Sequence, residues 1–318
     1  MKNKTWAFIG CGWAGGDMAQ KLVESGRRIN GLYSRNSERA SEFAKKYGID
    51  TVYESLDALC RDESIENVYI ATPHSVHAQH IKACLLSGKN VLCEKAIVMN
   101  ISQLDDLCGI ANERSLRLAE AMTVYNMPLH RQLSERVKGG AFGKVNLIQV
   151  NFGSTKPYDM SNRFFSMEYA GGAMLDIGVY ALALESMYST GEICSIDSNV
   201  TKAPSAVDES FGAVIKRCGG QISTVTVSLC SKLPKRAVIS CDDAYIEIQD
   251  YPRADKALIV YNDGKTEVFS SGKTSDALLY EIQAFENGSN MHFENTYSVM
   301  KSMTYMREKW GLHYPCED

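Results

Sequence analysis

A short apolar run, Thr5–Ile9, ends directly in Gly10-Cys11-Gly12-Trp13-Ala14-Gly15, and an amphipathic stretch reaching Leu22 and Val23 follows. Glycines at this spacing, between a strand and a helix, leave the chain few alternatives. The first permits a tight turn, the second lets a ligand approach the backbone, and the third lets helix and strand pack closely. A helix opening there presents unpaired N–H groups and the positive end of its dipole, which suits the phosphates of a dinucleotide. Gly10, Gly12 and Gly15, with Trp13 and Ala14 at the helix start, are the first candidate cofactor-binding residues.

The pattern that follows agrees. Ile29–Tyr33 reads as a strand and Ser37–Tyr47 as a helix with Ala40, Phe43, Ala44 and Tyr47 on one face. Val68–Ala71 reads as a strand, Ser75–Leu86 as a helix, Asn90–Cys93 as a strand, Ile101–Arg114 as a helix and Leu116–Ala121 as a strand. Strands apolar on both faces, alternating with helices, predict a parallel sheet covered on both sides.

The pattern changes near Met122. Pro128–Lys138 reads as a helix, Val145–Phe152 as a strand and Gly171–Tyr188 as a helix opened by glycines. From Ile193 to Phe269 strands with polar alternation dominate, among them Gln221–Ser228 and Arg236–Cys241, and two helices, Asp276–Glu286 and Thr296–Lys309, close the chain. This predicts a mainly antiparallel sheet with helices on one face. A chain of 318 residues suits two domains, placed here at 1–122 and 123–318. The expected fold class is α/β, a parallel-sheet domain followed by an α/β domain on an open sheet.

Composition excludes some classes. A net charge of -4, with no basic arm or stripe, argues against a nucleic-acid partner. The 10 cysteines are scattered without a C-x-x-C pair, and Cys84, Cys93 and Cys108 fall inside predicted elements. They read as buried free thiols in a reducing compartment, with no ligand spacing for a metal. No apolar signal segment precedes the first strand and no run spans a membrane, so a cytoplasmic location is the default expectation.

A site for NAD usually carries an acidic residue after the second strand. Here that strand ends Leu32-Tyr33-Ser34-Arg35-Asn36. Ser34 can donate to a phosphate oxygen, Arg35 can make a charge-assisted pair with it, and Arg39 adds charge one turn on. The cofactor expected is NADP(H), with NAD(H) the alternative.

Four segments, Ala7–Gly12, Ala71-Thr72-Pro73-His74, Glu94-Lys95-Ala96 and Gly171–Tyr180, resemble in order and spacing the glucose–fructose oxidoreductase / inositol dehydrogenase family (Gfo/Idh/MocA). The closing Trp310–Pro315 fits the same likeness. Glu120-Ala121-Met122 and Gly172–Tyr180 are similar to its branch of dimeric dihydrodiol dehydrogenases and NADP-dependent D-xylose dehydrogenases. The resemblance implies a Rossmann domain, then a substrate-binding and dimerisation domain whose open sheet often forms a homodimer. Two departures stand out. Ala96 replaces the usual proline, so Lys95 is expected to be held less rigidly, and Tyr180 stands where many members carry histidine, as in that branch.

Ligands of such sheets bind beyond the carboxyl ends of the strands. Lys95 there can hydrogen-bond a substrate oxygen and stabilise developing negative charge. Periodicity alone reads Tyr180 as a packed aromatic and Asp176 as a helix-start charge. The resemblance gives them chemistry: Tyr180 exchanges a proton, Lys95 lowers its pKa from the ordinary ~10, and Asp176, four residues away on one helix face, orients the substrate hydroxyl. Thr72, Pro73, His77, Glu94 and Lys95 itself join the cofactor candidates, with His74 beside them. His77 reads equally well as packing at a helix start. Tyr125, Arg163 and Phe164 are candidates for the substrate pocket. The function expected is a dehydrogenase or reductase of a sugar, polyol or trans-dihydrodiol. The alternatives are a catalytically silent cofactor- or sugar-sensing regulator and a reductase of an imine or tetrapyrrole.

Overall fold

Strands that are apolar on both faces need helices on both faces, and the first part of the chain supplies them. The computed structural model describes residues 5–288 and 293–317. Strands β1 (Trp6–Ile9), β2 (Ile29–Tyr33), β3 (Thr51–Tyr53), β4 (Asn67–Ile70), β5 (Asn90–Glu94) and β6 (Leu118–Ala121) form a parallel sheet of order β3-β2-β1-β4-β5-β6. The connecting helices are α1 (Trp13–Glu24), α2 (Ser37–Tyr47), α3 (Leu56–Arg61), α4 (His77–Leu86) and α5 (Ile101–Glu113). This is the doubly wound order, with its switch point between β1 and β4. Trp6, Phe8, Tyr69, Ile70, Val91 and Cys93 are buried completely, as strands covered on both faces must be. The loops after β1, β2, β4 and β5 share one edge of the sheet.

Two elements, β3 and α3, go beyond the expected list. They are 3 and 6 residues long, too short to show a period, and α3 is set by Ser55, whose hydroxyl accepts from Ala58 N. The helix expected from Ser75 opens as a tight turn, His74–Val76, before α4.

The chain divides into two compact units, residues 1–121 with 281–293 and residues 122–280 with 294–318. Residues 281–293, assigned from sequence to the second domain, pack with the first. Phe285 lies against Trp6 at 5.5 Å between ring centres, Trp6 Nε1 donates to Glu286, and Arg27 donates to both Glu286 oxygens.

In the second unit α6 (Thr123–Asn126) and α7 (Pro128–Lys138) precede β7 (Val145–Gly153), and a π-helical turn, Met174–Gly178, leads into α8 (Val179–Tyr188). Then come β8 (Ile193–Lys202), β9 (Asp208–Arg217), β10 (Ile222–Ser228), β11 (Leu233–Cys241), β12 (Ala244–Gln249), β13 (Lys256–Tyr261) and β14 (Thr266–Ser270), followed by α9 (Ala277–Glu286) and α10 (Phe293–Lys309). The eight strands order as β14-β13-β12-β11-β7-β10-β9-β8, and every pair is antiparallel except β7 with β10. Helix α8 packs on β7 and β10, over an inner face that includes Ile148, Val150, Val225 and Val227. The outer face exposes Leu147, Val214, Ile222, Tyr245, Leu258 and Val268. Among the described residues no helix is long and apolar enough to cross a membrane.

The cysteines depart from expectation in one respect. Cys194 on β8 and Cys218 just beyond β9 form a disulfide, while the other eight are free and four of those are buried. The pair escaped the sequence reading because its 24-residue separation follows from the β8–β9 register, not from local spacing. Closing a loop of that length removes denatured-chain entropy equivalent to about 3 kcal/mol. Thiol titration of the denatured, unreduced protein should find eight thiols, and reductant should lower the thermal midpoint. Ten thiols without reductant, or a midpoint indifferent to it, would contradict the pairing.

Candidate active site

The glycine turn is dictated by the crowding around it. Gly10 has φ +97, and a Cβ there would stand 2.4 Å from Ala71 O, so no other residue fits without displacing the end of β4. A Cβ on Gly15 would approach Gly10 O at 3.2 Å, which is the close packing of α1 on β1 anticipated for that glycine. Around Gly12 the reverse holds: a Cβ there would meet no protein atom within 4 Å. No side chain caps α1, and its first turn carries no acid. Open backbone, uncapped N–H groups and a helix dipole together fit a dinucleotide pyrophosphate. Trp13 is 80% exposed and Ala14 half-buried at the helix start.

The end of β2 lies beside this turn, with the Cys11 thiol 3.3 Å from Ser34 Oγ. Arg35 and Arg39 are exposed, and neither is ion-paired with a carboxylate of the described residues. Asn36 caps α2 by accepting from Arg39 N. Near the end of β4, Thr72 Oγ1 lies 3.2 Å from His80 Nδ1. Burial first, then His77 and Arg35, push the His80 pKa down to about 4, so that ring is neutral. The sequence reading overlooked His80. Its signal is its place one turn after His77 on α4.

The segment carrying Lys95 is held more tightly than the loss of proline suggested. The Lys95–Ala96 peptide is cis. His74 Nε2 lies 3.2 Å from Lys95 O, His77 Nδ1 3.0 Å from Ala96 O, and Ile97 N donates to Glu120 Oε1 at 3.1 Å. His77 Nε2 also lies 2.8 Å from Thr72 O, and its ring is wholly buried. This corrects its place among the cofactor contacts: both ring nitrogens are turned to backbone carbonyls, so His77 braces the loops after β4 and β5. Burial lowers its pKa despite those carbonyls, and a neutral ring donates to one of them at a time. Glu94 accepts from the Tyr69 hydroxyl. Glu120, which the sequence reading quoted without a role, is the third brace.

In the second unit the helix expected over Gly171–Tyr188 opens later. Gly172 has φ +109 and its N–H donates to Phe164 O, so Gly171-Gly172 finish a loop and the π-helical turn begins at Met174. Two buried groups hold this start. Asp208 accepts from Met174 N at 2.6 Å, and the Tyr314 hydroxyl donates to Gly171 O at 2.5 Å. A Cβ on Gly172 would collide with Asp208 Oδ1 at 2.1 Å. Farther along α8, Glu185 receives Arg217, Ser189 and Ser223 in a buried network that ties the helix to β9 and β10. Asp176 is 6% exposed and pairs with Arg163 at 3.3 Å, so two of the predicted residues meet. Tyr180 is half-buried, its ring 6.1 Å from that of Phe152. Tyr125 is buried on α6. Arg163 lies 4.3 Å from the Phe164 ring centre. Among the described residues no group of three His, Cys, Asp or Glu side chains could hold a metal.

Asp208 has a thermodynamic signature. Desolvation raises its pKa from 3.8 to about 7, against the backbone N–H groups and Arg307, which lower it. A carboxyl whose folded pKa exceeds its unfolded one binds a proton on folding, so stability falls as pH rises from about 4 to about 7. Asp208→Asn keeps an acceptor for Met174 N and removes that loss, by at most about 4 kcal/mol. Denaturation midpoints should favour the variant more at pH 8 than at pH 4.5, whereas parallel profiles would refute the buried titration.

The comparisons with known proteins agree with this geometry. Residues 4–122 match the model described as "Oxidoreductase family, NAD-binding Rossmann fold", and residues 130–247 match the GFO/IDH/MocA C-terminal domain. The chain is 29% identical over 295 residues to trans-1,2-dihydrobenzene-1,2-diol dehydrogenase of Mus musculus, covering 91% of this chain and 85% of that one. It is 26% identical over 330 residues to scyllo-inositol 2-dehydrogenase (NADP(+)) of Bacillus subtilis (strain 168), covering 98% of each. A 3-ketoreductase from Actinomadura kijaniata shares the fold at a TM-score of 0.84 and 20% identity, over 96% of this chain and 98% of the other. The chain belongs to the Gfo/Idh/MocA family of NAD(P)-dependent oxidoreductases.

Proposed function

We propose that this enzyme is an NADP-preferring dehydrogenase acting on a secondary alcohol of a sugar, polyol or trans-dihydrodiol. The observation that carries the reading is the bracing of the Lys95 segment by His74, His77 and Glu120 at the carboxyl end of β5. A lysine whose flanking backbone is bonded to three side chains from other elements is a positioned group, and charge stabilisation depends on such positioning. The half-buried Ser34 and exposed Arg35, in place of an acid, support NADP. The mouse and Bacillus relatives act on a dihydrodiol and an inositol, and the name of the second specifies NADP(+).

When bound, the nicotinamide accepts or supplies a hydride. The α1 N-terminus holds its pyrophosphate, and Ser34, Arg35 and Arg39 hold the 2′-phosphate. Thr72, Pro73 and Glu94 flank the same edge of the sheet. In the first unit Lys95 would donate to the reacting oxygen, and in the second Tyr180 would exchange a proton and Asp176, paired with Arg163, would bind a substrate hydroxyl. The apolar outer face of the eight-stranded sheet fits a homodimer interface. The eight free thiols favour a cytoplasmic protein, and the Cys194–Cys218 disulfide counts against it.

The test combines binding and turnover. Lys95→Met should lower kcat by about 10²–10³ while NADPH binding stays within about threefold. Arg35→Ala should weaken NADPH by about tenfold and leave NADH nearly unchanged. Full turnover in Lys95→Met, or a wild-type preference for NADH, would sink the corresponding assignment. Cofactor binding without turnover of any sugar, polyol or dihydrodiol would favour a sensing protein.

A further inference from the structure

Lys235 stands where the pattern of the second sheet calls for an apolar side chain. On β11 the residues of the helix-covered face are Ala237, Ile239 and Cys241, all buried, and the alternation reaches Lys235 two residues earlier. Leu233 pairs with Gly153 and Arg236 with Asn151, so Pro234 and Lys235 together face the single residue Phe152. Such a bulge re-aims a side chain, and bulges are common beside active sites. Lys235 Nζ sits 5.2 Å from the centre of the Phe152 ring, the same ring that lies 6.1 Å from Tyr180 and 6.2 Å from Tyr251. Lys235 is exposed, while Phe152 beneath it is buried.

Two further observations point to a ligand. Lys156 Nζ lies 4.8 Å from the ring of Phe164, the ring on which Arg163 also rests as it reaches Asp176. Neither Lys156 nor Lys235 is ion-paired with a carboxylate of the described residues. The Tyr251 hydroxyl is wholly buried, has no hydrogen-bond partner among the described residues, and lies within electrostatic reach of Tyr180. A neutral polyol gives these ammonium groups nothing to neutralise. An anion would pair with them by charge-assisted hydrogen bonds.

We propose that the substrate carries an anionic group, a carboxylate or a phosphate, and that Lys235 and Lys156 bind it. The proposal rests on the reading of Asp176 and Tyr180 as the substrate site and narrows its substrate class to sugar acids or phosphorylated sugars. The experiment measures equilibrium binding to the full chain by calorimetry, with turnover recorded separately. The probes are aldoses, the matching uronates and aldonates, and the matching 6-phosphates. At least one anionic series should bind tenfold or more tighter than its neutral parents, and binding should weaken with salt. Which series wins distinguishes carboxylate from phosphate. Lys235→Gln should reduce the anion-to-neutral ratio about tenfold, and Lys235→Glu should invert it, with unchanged thermal midpoints as the check on folding. Lys156→Gln should reduce the ratio as well. Equal binding of neutral and anionic ligands, no binding of any anion, or a ratio unmoved by all three variants would overturn the proposal. Lysine-dependent anion binding without turnover would uphold the anion site and remove the dehydrogenase reading. Turnover of neutral sugars without anion preference would do the opposite.

Discussion

A loop leaving the end of a buried strand carries carbonyls and N–H groups that the sheet no longer satisfies, and leaving one unpaired costs about 1–3 kcal/mol. Both halves of this protein meet that constraint with buried polar side chains from distant parts of the sequence. Lys95 O and Ile97 N are served by His74 and Glu120, while Thr72 O and Ala96 O share the single N–H of a neutral His77. Gly171 O and Met174 N are served by Tyr314 and Asp208. The same bonds that satisfy the backbone fix the segments bearing Lys95 and Asp176. Local stability and positioning of the groups proposed to react are one requirement here.

The two sets of braces differ electrostatically. His74, His77 and Glu120 contact backbone from within one parallel sheet and its loops. At the other helix start the brace is Asp208, with Arg307 near enough to lower its pKa, and Arg307 is itself bound to Glu317. Removing a carboxylate from water is costly, and Asp208 responds by holding its proton more tightly, while Glu317 keeps Arg307 as a direct partner. The last turn of the chain therefore takes part in holding the turn that presents Asp176, although 141 residues separate Asp176 from Glu317 in sequence.

How much was legible follows from how local each signal is. Helix α2 was read with its observed bounds from the apolar face of Ala40, Phe43, Ala44 and Tyr47, and the structure adds Asn36 as its cap and Gly48, in the left-handed region, as its end. Helix α7 was also read with its observed bounds, and Pro128 occupies its first turn. The glycine turn was legible because its spacing is a local motif, in which Gly10 and Gly15 answer to close neighbours and Gly12 to open space. The braces were not, because a histidine in sequence carries no sign of which carbonyl it faces. The late start of the helix at Met174 was hidden for the same reason, since the Asp208 carboxylate that accepts from Met174 N lies 34 positions later. The return of residues 281–293 to the first unit rests on Trp6 and Arg27 meeting Phe285 and Glu286, which no periodicity encodes.

What distinguishes one member of such a family from another must then lie where the general pattern is broken. Backbone satisfaction, sheet order and the glycine turn are demands of the fold, and they are indifferent to which alcohol reacts. A bulge that sets a lysine on an otherwise apolar sheet face is a different kind of feature. The register shift at Pro234 and Lys235 places a lysine, with no carboxylate partner among the described residues, beside Phe152, whose ring also neighbours the half-buried Tyr180 and the buried Tyr251. Departures of this kind, found by comparing each position with what its strand and face demand, give a physical basis for reading specificity in a fold whose common parts are silent about it.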